Sequence, residues 1–189
     1  MCPESRRVAV LGVGNILLRD EGVGVHVVRA LKERGVPDDV NVVDAGTAAL
    51  DALAVLGKVD KLVVIDAVKA TGPAGAVYRF SPDDVTREQQ SPPMSLHDIG
   101  LLDTFAMADQ IGLRPGSTVV FGVVPAEVGW GLELSPVVAA RVPELVDRVV
   151  EEIGRGRKSG VPANAPENPG ASGNAKGGED AHLRAQAAG

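Results

Sequence analysis

The chain has 189 residues, 44% of them hydrophobic, which suits one core of about 150 residues and argues against two full domains. Aromatic residues make up 3% and the formal net charge is −6, so the chain has neither the stacking platforms nor the basic footprint of a nucleic-acid binder. Cys2 is the single cysteine, which excludes an intrachain disulfide, a redox pair and a cysteine-rich zinc site.

A reducing, cytoplasmic setting follows as the expectation. No basic-headed apolar leader is present, nor an apolar run near the roughly 18 residues of a membrane span, so no membrane insertion is expected.

In chain order, Arg7–Val13 reads as a first strand, apolar on both faces. Residues 21–34 read as an amphipathic helix stopped by Gly35, with Val25, Val28, Ala30 and Leu31 on one stripe. Val40–Asp44 and Lys61–Asp66 are further buried strands, with a helix at 48–56 between them. Ala76–Ser81 alternates more and suits an edge strand. A helix is expected at 98–111, a strand at Thr118–Val124 and a last helix at 136–153. This β-α-β-α-β opening predicts a three-layer α/β/α sandwich around a mostly parallel twisted sheet of about five strands, with an antiparallel or edge strand. Residues 1–153 form the expected domain. Residues 154–189 hold eight Gly, eight Ala and three Pro with few large apolar side chains, and are expected to be a disordered tail.

In an open α/β sheet, ligands gather at the carboxyl ends of the strands, and three of these exits are acidic. The first leads to Asp20 and Glu21, the second ends on Asp44 before Gly46 and Thr47, and the third ends on Asp66. Clustered carboxylates repel one another unless a cation or proton intervenes. Gly12-Val13-Gly14 followed by Asp44 invites a dinucleotide-binding reading, but Leu17 stands where the third glycine belongs, and Asp20 and Glu21 would repel a pyrophosphate. Ser95-Leu96-His97-Asp98 fits an S-x-x-D helix start. Ser95 is then the cap, and His97 sits in a first turn whose dipole favours a neutral, metal-ligating ring. His97 and Asp98 would equally decorate a helix start. Mixed carboxylate and imidazole donors suit zinc or nickel without choosing between them. No G-x-S-x-G nucleophile elbow is present.

The segment Gly12-Val13-Gly14-Asn15-Ile16-Leu17-Leu18-Arg19-Asp20-Glu21-Gly22-Val23-Gly24 closely resembles the opening signature of the hydrogenase maturation endopeptidases. Asp44-Ala45-Gly46-Thr47, Val63-Val64-Ile65-Asp66-Ala67, Ser95-Leu96-His97-Asp98-Ile99-Gly100-Leu101, Gly122-Val123-Val124-Pro125 and Leu134-Ser135-Pro136 extend the resemblance in order, over residues 7 to 153. It implies a peptidase that clips the C-terminal extension of a [NiFe] hydrogenase large-subunit precursor after nickel insertion. It further implies Glu21, Asp66 and His97 as catalytic and metal-contacting side chains, with nickel supplied by the substrate and zinc or cadmium able to substitute. Asp44, Gly46 and Thr47 match a motif read as substrate binding, with Ala45 where glycine is often found. Asp20 is read as a loop or capping acid, and His26 and His182 are left off the ligand set. A non-catalytic chaperone that senses nickel with the same triad is the alternative from another class.

Overall fold

A computed structural model describes residues 6–84, 94–96 and 100–155. Its parallel sheet is built from β1 (Val8–Val13), β2 (Val40–Gly46), β3 (Lys61–Ala70) and β6 (Thr118–Val123), with β4 (Val77–Phe80) antiparallel to β6 at one edge. The order is β2-β1-β3-β6-β4, so β1 and β3 are adjacent although the chain leaves them toward opposite edges. That reversal makes the gap above the carboxyl ends of β1 and β3 the topological switch point, where a crevice opens in sheets of this kind. The short β5 (Met94–Leu96) lies off the main path and pairs antiparallel with the overhanging end of β3.

The two-residue period of the strands sends alternate side chains to opposite faces. Val8, Val10, Val63, Ile65, Phe121 and Val123 pack on one side against α1 (Val23–Arg34) and α5 (Val142–Gly154). Ala9, Leu11, Leu62, Val64 and Val120 face the other way, against α2 (Ala49–Leu56) and α3 (Gly100–Gln110). The expected three-layer sandwich and its mostly parallel sheet are both present, as is the antiparallel edge strand. β-Branched residues fill most of the core under α1 and α5, while Leu and Ala predominate under α2 and α3, and few aromatics are available to either.

Several boundaries differ from expectation for identifiable reasons. The first helix starts at Val23, after a separate 3-10 turn at Arg19–Gly22. The last helix is two pieces, α4 (Pro136–Ala139) and α5, because Pro143 has no N–H to continue the ladder from the preceding turn. The third strand runs on to Ala70, since its end gains a partner in β5. Ser95 pairs with Lys69 inside β5, and α3 begins at Gly100, so the expected Ser95 helix cap is not formed. A strand ladder satisfies the backbone there in place of the cap. The proposed tail, residues 154–189, lies outside the described residues from 156 onward. No helix among the described residues is long and apolar enough to cross a membrane.

Candidate functional site at the carboxyl ends of β1 and β3

The backbone leaving β1 is held tightly. The Gly14 N–H donates to the Gly46 carbonyl at 2.8 Å, joining the exits of β1 and β2. The Asn15 side chain accepts from the Leu17 N–H at 3.0 Å and closes a turn. The chain then passes through Arg19, whose φ of 54° is left-handed, into the 3-10 turn that carries Glu21. Gly14 has a φ of +126°, and a methyl group there would overlap the Glu21 carbonyl. At Gly24 a methyl group would overlap the carbonyls of Val13 and Ile65. These glycines let the turn and the start of α1 settle directly onto the ends of β1 and β3.

Asp66 sits in β3 one residue beyond Ile65, which is the last residue of that strand paired with β1. It is buried, and one of its carboxylate oxygens accepts from the Ala67 N–H at 2.8 Å. Glu21, half-buried in its turn, is three residues before the point where Gly24 meets the Ile65 carbonyl. Both acids therefore belong to the edge at the switch point, and the turn holding Glu21 touches β3.

His97 and Asp98 lie outside the described residues. The residue before them, Leu96, is paired with Val68, two positions past Asp66. Among the described residues no three His, Cys, Asp or Glu side chains gather closely enough to hold a metal ion. Asp44 is level with Gly12 near the end of β2 and pairs with Arg29 of α1 at 3.2 Å. Gly46 adopts a φ of +50° and accepts the Gly14 hydrogen bond, and Thr47 follows it exposed on the same edge. His26 lies in α1, beside Arg29, Ala30 and Leu134.

Asp20, read as a loop or capping acid, anchors a loop distant in sequence and does not cap its own turn. It is fully buried, and its carboxylate accepts four hydrogen bonds: from Ala126 N–H at 2.9 Å, Glu127 N–H at 2.8 Å, Ser135 N–H at 2.7 Å and the Ser135 hydroxyl at 2.8 Å. Burial by itself raises this carboxyl, but the donors on Glu127, Ser135 and Ala126 outweigh it and hold Asp20 below its ordinary value of 3.8. The loop leaving β6 is thereby tied across the end of β3 to the turn leaving β1. The Asp20–Glu21 pair thus divides into an inward anchor and its neighbour at the crevice.

Residues 25–152 match the family model described as hydrogenase maturation protease. The chain belongs to this family. The hydrogenase 2 maturation protease of Escherichia coli K12 is 33% identical over 158 residues, covering 83% of this chain and 94% of that one. The hydrogenase expression/formation protein HupD of Bradyrhizobium diazoefficiens is 35% identical over 146 residues, 76% of each chain. The solved hydrogenase maturating endopeptidase HybD from E. coli aligns with a TM-score of 0.69 at 32% identity, over 79% of this chain and 93% of that one. The [NiFe] hydrogenase maturation protease HybD from Thermococcus kodakarensis gives a TM-score of 0.65 at 28% identity, over 78% and 98%.

Like other hydrogenase maturation proteases, the chain is a peptidase. That displaces both the dinucleotide reading and the purely chaperoning one. The loop after β1 fits this outcome, since it runs through a 3-10 turn before α1 and carries Glu21 where a pyrophosphate would need N–H groups. Carboxylates in such a crevice are suited to ligating a metal or to taking a proton from water.

Proposed function

We propose that this protein removes the C-terminal extension of a [NiFe] hydrogenase large-subunit precursor in the cytoplasm after nickel insertion. Glu21, Asp66 and His97 recognise the nickel that the precursor carries. The reading is carried by the meeting of the exits of β1 and β3, which sets Glu21 and Asp66 at one switch-point edge while β5 ends beside β3 at the residue before His97. Family membership supports the hydrolytic part.

The donor set fits the cargo. Two carboxylates and an imidazole suit nickel, and zinc or cadmium can take its place. The Ala67 N–H orients the Asp66 carboxylate, an outer hydrogen bond of the sort that fixes ligand direction. Because the grip forms only when the loaded precursor enters, binding favours that substrate over the unloaded one and makes cleavage a checkpoint. Asp44, Gly46 and Thr47, on the neighbouring exit, hold the incoming segment.

The test mixes purified protein with nickel-loaded and nickel-free precursor and follows loss of the C-terminal peptide by mass spectrometry. Clipping of the loaded form alone is expected. Glu21→Gln, Asp66→Asn and His97→Ala should each reduce the rate at least about a hundredfold, the loss usual for a group acting on the reacting centre. Intact loaded precursor would remove the processing reading, and wild-type rates in all three variants would remove the site.

A further inference from the structure

The loop 124–135 leaves β6 at the same edge of the sheet as the crevice, and it carries the protein's only tryptophan outward. Trp130 is 83% exposed, with Val128 at 52% and Leu132 at 60% on the same loop. Leu17, 48% exposed, stands on the segment paired to that loop: the Gly131 N–H donates to the Leu17 carbonyl at 2.9 Å, and the Arg19 N–H donates to the Gly131 carbonyl at 3.0 Å. Leu132 also walls a groove of about 530 Å³ between α1 and the α4–α5 segment, whose other apolar residues include Ala30, Leu134 and Val142. Half of the large, exposed apolar side chains among the described residues thus fall on two joined strips beside the crevice.

This apolar surface is held rigidly. Asp20 fixes both ends of the loop through its four hydrogen bonds, and Arg19 pairs with Glu127 at 2.8 Å. An exposed tryptophan on an anchored loop has the character of a binding hot spot, since little conformational freedom remains to be lost on contact. Contiguous exposed apolar surface otherwise lowers solubility.

We infer that Leu17, Val128, Trp130 and Leu132 form the docking surface for the folded body of the protein substrate, beside the crevice that takes its cleaved segment. This rests on the processing reading above. The occupant follows from continuity: the loop is bonded to the turn that holds Glu21, so a protein whose tail enters at Glu21 and Asp66 meets Trp130 next. A second copy of this chain on the same patch would cover the edge the tail must reach.

The single tryptophan makes the test direct. Protein labelled with 5-fluorotryptophan gives one fluorine resonance, from Trp130, whose broadening by a soluble paramagnetic agent reports its exposure. On adding nickel-loaded hydrogenase large-subunit precursor, the resonance should shift and become protected from the agent. Trp130→Ala and Leu132→Ser should each raise KM about tenfold or more with kcat within about twofold of wild type, provided their circular dichroism and melting match wild type. Cleavage without protection of Trp130, or with unchanged KM in both variants, overturns the docking surface and leaves the processing reading standing. Neither cleavage nor protection overturns both. A dimer in sedimentation that Trp130→Ala dissolves assigns the patch to a second copy and also overturns the inference.

Discussion

Replacing Asp20 with alanine removes the acceptor for four donors at once, three of them backbone N–H groups. Ala126 and Glu127 are exposed residues, so water can reach their amides once the loop loosens, but Ser135 is buried and loses partners for both its N–H and its hydroxyl. A buried donor left without an acceptor costs about 1–3 kcal/mol, and hydrogen bonds to a charged group lie at the upper end. Two such losses, with partial relief elsewhere, give about 4 kcal/mol, a large share of the roughly 5–15 kcal/mol that holds a domain together. For a core near 150 residues that lowers Tm by about 10 °C. Asp20→Asn keeps one oxygen but turns an NH2 toward the donors, and should fall between alanine and wild type.

The measurement is thermal melting by circular dichroism, repeated across acid pH. Folded Asp20 has its pKa held below 3.8, so its stabilisation is complete above that value and is lost as pH falls through the folded pKa. The gap between wild type and Asp20→Ala should therefore be widest above pH 3.8 and narrow as pH falls through the lowered folded pKa. A melting temperature within 1 °C of wild type at neutral pH, or a gap that widens in acid, would refute the anchoring role.

At the opposite end of the sheet, Lys61 and Glu152 are both buried and paired at 2.7 Å, with Arg79 on the same carboxylate at 2.9 Å. Burial raises Glu152, but Arg79 and Lys61 outweigh it and lower the carboxyl from 4.5 to about 2. That shift corresponds to about 3 kcal/mol of stability, present above pH 4.5 and lost as pH falls toward 2, which urea titrations of wild type and Glu152→Gln should reveal as a difference confined to the higher pH. Gly14→Ala should lower stability by about 2 kcal/mol or more through its left-handed φ, and should slow cleavage by displacing the Glu21 carbonyl. A variant with unchanged melting and rate would show that the close approach to Glu21 is not required.

The layer architecture was legible in the sequence because it depends on local periodicity. Val8 to Leu11 and Leu62 to Ile65 are apolar without interruption, and only a strand covered on both faces can bury them that way. Glu21, Asp44 and Asp66 could be ranked because each closes or follows such a run. Asp20 was legible as a loop acid but its partners were not, since its donors lie more than 100 residues away. Ser95 misled for a related reason: its capping pattern is local, while its pairing with Lys69 comes from the length of β3. Lys61 opens the third strand, and nothing local in the sequence marks it as buried. Its burial depends on Glu152 of α5, a residue 91 positions downstream.

These long-range charges suggest why the two ends of the sheet differ. The Lys61–Glu152 pair and its arginines are closed in on themselves, each charge answered by another, so that end resists acid only as far as Glu152 stays ionised. At the other end Asp20 spends its charge on backbone donors, which are neutral groups and leave the local negative charge in place. Glu21 follows Asp20 directly in the same turn, so that charge lies beside the acid proposed to meet the substrate's metal. In the proposed reading, a substrate bringing its own metal adds positive charge beside Glu21, next to the anchored Asp20. The anchor that stabilises the loop thus also sharpens the discrimination proposed for the crevice. Asp20→Asn should then weaken the preference for loaded precursor in proportion to the charge removed, even where its melting is restored by stabilising substitutions elsewhere.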